Sequence, residues 1–181
     1  MSLWLARHAQ PLVAPGVCYG HLDLAADTAA TQHCAQALAG LLPAGVQVWA
    51  SPLQRCEQLR QYLSGLRPDL ICKTDARLQE MDFGHWEGRG WADIDKAELD
   101  AWTDDFANYR AGTSGESVAQ FMARVGAAFD ALDRTQHTCW LTHAGVIRAA
   151  TLLAQGQRPI TSASQWPQSA PAFGQWVTLA L

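Results

Sequence analysis

Two arginines and two histidines of this chain fall where a sheet would present them to one ligand. Arg7 and His8 follow the apolar run Ser2 to Ala6, Arg55 comes soon after the run Val46 to Ala50, and His143 follows Thr138 to Leu141. A neutral imidazole is a nucleophile or a proton carrier, and the planar fork of a guanidinium binds phosphate-type oxyanions bidentately. In open α/β sheets, ligands sit beyond the carboxyl ends of the strands. If these runs are neighbouring strands, the four side chains point into one crevice built for a compact dianion, with phosphate the foremost candidate. Taken singly, each has a plainer reading: a histidine at a strand end is usually an ordinary polar residue, and Arg55 alone would be a surface cation. The recurrence at equivalent junctions is what points to a site.

The elements that must position these groups are legible from periodicity and punctuation. Ser2 to Ala6 reads as a strand, followed by a loop marked by Pro11, Pro15, Gly16 and Gly20. A helix from about Thr28 to Leu42, capped by Asp27 or Thr28, carries Cys34, Leu38 and Leu41 on one face and ends at Pro43 and Gly45. Val46 to Ala50 is a second strand, and Ser51-Pro52 opens a helix bearing Arg55 in its first turn, with Pro52 at the first helical position. Leu70 to Thr74 reads as a short strand. Val118, Phe121, Met122, Val125, Phe129 and Leu132 recur at helical spacing. Thr138 to Leu141 is a strand ending in Thr142-His143, Ala144 to Leu153 a helix, and Trp176 to Leu181 a last strand. Helix N-termini at Leu53 and Ala144 would add backbone N–H donors and a favourable dipole to the crevice. The alternation predicts an α/β domain, a three-layer sandwich whose largely parallel sheet has helices on both faces. Residues 88–112 are polar, acidic and tryptophan-bearing, and read as a small helical lid inserted into a single domain covering 1–181.

Composition narrows the function. A formal net charge of -4 argues against general affinity for nucleic acid or an anionic membrane surface, so an anionic ligand must be held by a local cluster. Five scattered cysteines with no Cys-x-x-Cys pair argue against a disulfide framework or zinc ribbon, and fit the cytosol. The N-terminal segment reaches Arg7 and His8 too soon for a signal peptide, and the uncharged stretch 160–181 is broken by Pro167 and Pro171, so no spanning helix is expected. The six histidines include no His-Glu-x-x-His pair, and His8 and His143 beside two arginines would repel a cation, so no metal or other cofactor is expected. Trp86, Trp91 and Trp102 either cover a pocket or form the insertion's own small core. His33 and His137 read as surface or helix residues, and for His21 and His85, near the proposed loops, the plain reading is stronger.

Leu5-Ala6-Arg7-His8-Ala9 resembles the Arg-His-Gly signature of the histidine phosphatase superfamily, also called phosphoglycerate mutase-like. The resemblance continues in order through Ala50-Ser51-Pro52-Leu53-Gln54-Arg55, the block from Leu78 to Gly88, Gly115-Glu116-Ser117, and Leu141-Thr142-His143-Ala144-Gly145-Val146-Ile147-Arg148. It implies a phosphohistidine mechanism. His8 would attack phosphorus in line, from a neutral imidazole whose second nitrogen is held by an acceptor such as a backbone carbonyl. Arg7, Arg55 and His143 would bind the phosphoryl oxygens and stabilise transition-state charge. Glu80 matches the general acid, with Asp82 and Glu87 as rivals, and Ala144, Gln10, Tyr19 and Gly20 would complete the phosphate and substrate contacts. The chain departs from the family at Ala9, where glycine is usual, and in Gln10-Pro11-Leu12-Val13-Ala14, which lacks the common Glu-Thr and the later Asn.

The loop Ala14-Pro15-Gly16-Val17-Cys18-Tyr19-Gly20 with Asp23, and the block from Met81 to Gly88, look like the α-ribazole phosphatase group of cobalamin synthesis. The expectation is thus a metal-independent phosphomonoesterase acting on a small phosphorylated metabolite, as monomer or homodimer. A phosphoglycerate mutase-type isomerase is the main alternative, and the expectation of hydrolysis rests on a short chain without the tail that shields phosphohistidine in mutases. A non-catalytic phosphate-binding domain, motivated by Ala9 and the missing Asn, is the third reading.

Overall fold

The computed structural model describes residues 1–181. Five strands form one sheet: β1 (Ser2–Arg7), β2 (Gln47–Ala50), β3 (Ile71–Thr74), β4 (Thr138–Thr142) and β5 (Trp176–Ala180). Their order is β3-β2-β4-β1-β5, with every pairing parallel except that of β5. The helices are α1 (Thr28–Leu41), α2 (Gln54–Leu66), α3 (Lys96–Asp104), α4 (Val118–Asp130) and α5 (Ala144–Ala154). Mixed α/β architecture with a largely parallel sheet is what the alternation predicts.

Strand alternation separates the core into two layers. Leu3 and Leu5 of β1 and Trp140 of β4 face α4 and α5, packing with Phe121, Val125 and Ile147. Trp4 and Ala6, with Cys139 and Leu141, face α1 and α2, packing with Leu38, Leu59 and Leu63. Side chains on β4 are buried along its whole length because it lies between β2 and β1. Three helices begin on side-chain caps, α3 on the Asp95 carboxylate, which accepts from the Ala97 amide. The Asp27 carboxylate accepts from the Ala30 amide, and Ser117 and Gln120 form a reciprocal capping box at α4.

One helix start differs from expectation. α2 begins at Gln54, with Leu53 as its cap in an extended conformation, so Pro52 lies before the helix rather than in its first position. The Leu53 amide donates to Ser51 Oγ at 3.3 Å, which turns the chain before the helix begins. α4 likewise ends at Asp130, so Leu132 packs from outside the helix.

Within 88–112 the chain forms a 3-10 turn at Trp91–Asp93 and then α3. Trp102 packs against Trp86 (5.6 Å between centroids), stacks on Trp91 (6.4 Å) and meets Phe106 (5.6 Å). These rings join the main core layer and do not form a separate small one. Trp86 is fully buried and its indole N–H donates to Glu98 at 2.5 Å.

Candidate active site

Strand register decides which residues meet. Arg7 of β1 pairs with Thr142 of β4, so the next residues, His8 and His143, leave the sheet side by side, with ring centroids 5.1 Å apart. Ala50 of β2 pairs with Leu141, and the Ser51 amide donates to Leu141 O at 2.9 Å, bringing the start of α2 and Arg55 to the same edge.

His8 is almost fully buried, and its ring is held at both nitrogens. Nδ1–H donates to the carbonyl of Ala9 at 2.7 Å, and Nε2 accepts from Arg55 Nε at 3.3 Å. Burial and the Arg55 charge hold this imidazole well below its ordinary pKa. It is therefore neutral, with the Nε2 lone pair directed at the cationic side of the crevice. The carbonyl partner is the one a nucleophilic histidine requires. Ala9 has a negative φ, since the one non-glycine residue in the left-handed region is Thr113, so alanine stands at this position without strain.

Arg55 is fully buried and committed to its place. Beyond His8, it donates to Leu22 O at 2.9 Å and Gly20 O at 2.7 Å, and its guanidinium lies 5.5 Å from the Tyr19 ring centre. Gly20 is needed because the loop passes very close to the Met81 backbone; a Cβ there would sit 1.8 Å from Met81 O. Gly20 thus serves through its carbonyl and its lack of a side chain, and Tyr19 is near enough to both Arg7 and Arg55 for their charges to act on it.

Arg7 donates to Pro171 O at 3.0 Å and lies 3.8 Å over the Phe173 ring, while its Nε is buried with no partner. His143 Nε2 turns inward, 2.8 Å from Ser51 Oγ and 3.5 Å from Cys56 Sγ. Its Nδ1 is buried without a partner, which leaves that nitrogen to meet a ligand oxygen. Burial and Arg55 also hold His143 well below its ordinary pKa. Ala144 is the first residue of α5, and its neighbour Gly145 donates its amide to Glu80 Oε2 at 2.9 Å.

The two rival carboxylates have structural partners. Glu87 accepts backbone amides from His21 (2.8 Å), Leu22 and Phe83 (3.0 Å), tying the Tyr19–Leu22 loop to the Met81–Glu87 loop. Asp82 Oδ1 accepts from the Gly84 amide at 2.8 Å. Glu80 is the carboxylate left beside the crevice. Behind it, Arg124 donates to the carbonyls of Arg77, Gln79 and Glu80 and pairs with Glu116 at 2.7 Å, bracing the 3-10 turn and loop that carry Glu80. Gln10 is exposed, its side chain reaching only Pro11 O at 3.5 Å, while its own carbonyl accepts from Asp27. It does not join the cluster.

The sequence reading missed the returning segment before β5. Gly174 N donates to His8 O at 3.0 Å and the Phe173 ring lies 5.6 Å from that of His8. Nothing local in Pro171-Ala172-Phe173 signals this; the antiparallel docking of β5 on β1 brings it about. Ser51 enters the sequence argument only within a block, although its position beside Arg55 offers the clue. Nowhere do three or more His, Cys, Asp or Glu side chains converge as a metal-holding group, and no helix is long and apolar enough to cross a membrane.

Comparison with known proteins agrees with this geometry. The model of the histidine phosphatase superfamily (branch 1) matches residues 3–173. Among solved structures, the TTHB049 protein of Thermus thermophilus is 27% identical, with a TM-score of 0.74 over 99% of this chain and 93% of that one. A phosphoglycerate mutase from the same organism is also 27% identical, with a TM-score of 0.72 over 99% and 92%. Mycobacterial hydrolase 2 shares the fold at 21% identity, with a TM-score of 0.77 over 98% and 80%. No protein of curated function matches the sequence. The family match spans nearly the whole chain and includes the strand ends that carry His8, Arg55 and His143: this chain belongs to the histidine phosphatase superfamily.

Proposed function

We propose that the chain is a phosphomonoesterase that hydrolyses a small organic phosphate through a phosphohistidine at His8, without a metal. The observation that carries this reading is the state of His8: a neutral ring, Nδ1–H tied to Ala9 O, and Nε2 facing the Arg55 guanidinium. A nucleophile needs an unprotonated nitrogen, and a phosphoryl group needs the cations around it.

In this mechanism His8 Nε2 attacks phosphorus in line while the bond to the ester oxygen breaks. Arg7, Arg55 and the open Nδ1 of His143 hold the equatorial oxygens. Glu80 gives its proton to the departing alkoxide, leaving the free alcohol. Its carboxylate then takes a proton from water as that water attacks phospho-His8, releasing inorganic phosphate and restoring both residues. Two guanidiniums, with a hydrogen bond from His143, supply the charge stabilisation that a metal supplies elsewhere, and the two guanidiniums disfavour a cation in the same place. The Tyr19-Gly20 loop and the Met81–Gly88 block support an ester of the α-ribazole 5′-phosphate kind, and the five free thiols suit a reducing cytosol.

The test is release of inorganic phosphate from p-nitrophenyl phosphate, 3-phosphoglycerate and α-ribazole 5′-phosphate, in EDTA, with His8→Ala as control. Release that vanishes in the variant is the expected result. A second reading, an isomerase, is favoured by the 27% identical Thermus phosphoglycerate mutase. Interconversion of 3- and 2-phosphoglycerate without net phosphate release would establish it instead. Phosphate binding with neither activity would indicate a non-catalytic domain.

A further inference from the structure

Beside Glu80 lies a cavity of about 120 Å³ lined by ten residues, half of them aromatic: Phe83, Trp102, Phe106, Phe121 and Trp166. Gly145 and Arg148 of α5 also line it. Arg148 is near enough to Arg7 for their charges to interact, so the cavity and the phosphate-binding groups are adjacent.

The convergence of four separate parts of the chain marks this cavity as a built site and not a packing defect: Phe83 in the loop before α3, Trp102 and Phe106 at α3, Phe121 in α4 and Trp166 from the segment after α5.

Resting on the phosphomonoesterase reading, we infer that this cavity is the leaving-group subsite, and that it favours phosphate esters whose alcohol carries an apolar ring. Glu80 forms part of both the catalytic cluster and the cavity wall, so the departing oxygen must lie at the boundary between them. The size fits a single ring, since an apolar cavity of about 150 Å³ accommodates benzene. Apolar and aromatic walls with a few placed polar groups are the usual composition of a small-molecule site. A glycerate, small and bearing its own carboxylate, would leave the aromatic walls uncovered.

The experiment is calorimetric titration of the wild-type chain with methylphosphonate and benzylphosphonate, which cannot be hydrolysed. Benzylphosphonate is expected to bind at least tenfold more tightly. In Trp166→Ala and, separately, Phe106→Leu, that preference should fall at least fivefold while methylphosphonate affinity stays within twofold. The milder Phe106→Leu keeps an apolar side chain at a buried position, so the result does not hang on one variant's folding. Equal binding of the two phosphonates by wild type, or an intact preference in both variants, overturns the subsite. Failure of both phosphonates to bind overturns the phosphate-site reading itself, and the inference with it. Binding with the benzyl preference but no phosphate release from any ester leaves the subsite standing and removes only the hydrolase.

Discussion

The amide of Gly145 donates to Glu80 Oε2 at 2.9 Å, and a Cβ on Gly145 would lie 2.2 Å from Glu80 Oε1. The first turn of α5 therefore both anchors this carboxylate and leaves room for it only because residue 145 has no side chain. The atom that would have to move is the tip of a flexible side chain, so the cost of a methyl group falls on the site and not on the fold.

Gly145→Ala should accordingly displace Glu80 while the protein remains folded. We expect kcat for an alkyl phosphate to fall by roughly ten- to a hundredfold, within the range that one general acid supplies. Thermal stability should change by no more than about 1 kcal/mol, because alanine is the better helix former. Steady-state kinetics beside a thermal melt checks both; unchanged kcat would mean that Glu80 does not act from this position.

Glu80→Gln keeps the shape and removes the proton. Turnover of an alkyl phosphate should drop by roughly a hundredfold or more, whereas p-nitrophenyl phosphate, whose leaving group needs little protonation, should lose far less in the step that forms phospho-His8. Burst kinetics on the aryl ester isolates that step. Equal losses on both esters would remove the assignment of Glu80 as acid.

Glu87→Ala should act through the loop and not on the chemistry. It removes the acceptor for the amides of His21, Leu22 and Phe83, and the same loop presents the Gly20 and Leu22 carbonyls that hold Arg55. Hydrogen bonds to a charged group contribute about 1.5–3 kcal/mol each, so a stability loss of about 2–4 kcal/mol is expected, part of it recovered by water entering the loop. KM should rise several-fold with a smaller change in kcat. Urea denaturation and Michaelis parameters read the two effects separately.

Stability should also fall on mild acidification. Burial first, and the Arg55 charge second, hold His8 and His143 well below the ordinary imidazole range in the folded chain. Unfolded, each takes a proton near pH 6.5. Below about pH 6.5 the unfolded chain then binds more protons than the folded one, so stability declines as pH falls towards the depressed folded values. The slope approaches about 1.4 kcal/mol per pH unit for each imidazole. Urea midpoints at pH 7.5, 6.5 and 5.5 measure it, and both His8→Asn and His143→Asn should flatten the profile. A profile unchanged in both variants would show that other groups control the acid limit.

Much of this protein is local and could be read from the chain. The burial of β1 on both faces follows from its apolar run Leu3 to Ala6, because successive strand side chains must face opposite layers. The Asp27 cap and the apolar stripe of α4 are likewise sequence-local signals. Arg7, His8, Arg55, His143 and Glu80 were identifiable because each stands at a strand end or within a recognisable block.

Tertiary structure decided the rest. Glu80, Asp82 and Glu87 are chemically similar and close in sequence, and only their partners separate them: Asp82 turns the chain, Glu87 ties two loops, and Glu80 meets the N-terminus of α5. Gln10 looked like a ligand-binding residue by position and is turned out to solvent, where its backbone and not its side chain makes the buried-side contact. Phe173 and Trp166 reach the site because a long irregular segment crosses it on the way to β5. Periodicity reports how a residue relates to its near neighbours in the chain. It carries no information about which distant segment will cover that residue, and in this protein that covering is what orients Glu80, shapes the cavity and keeps His8 neutral.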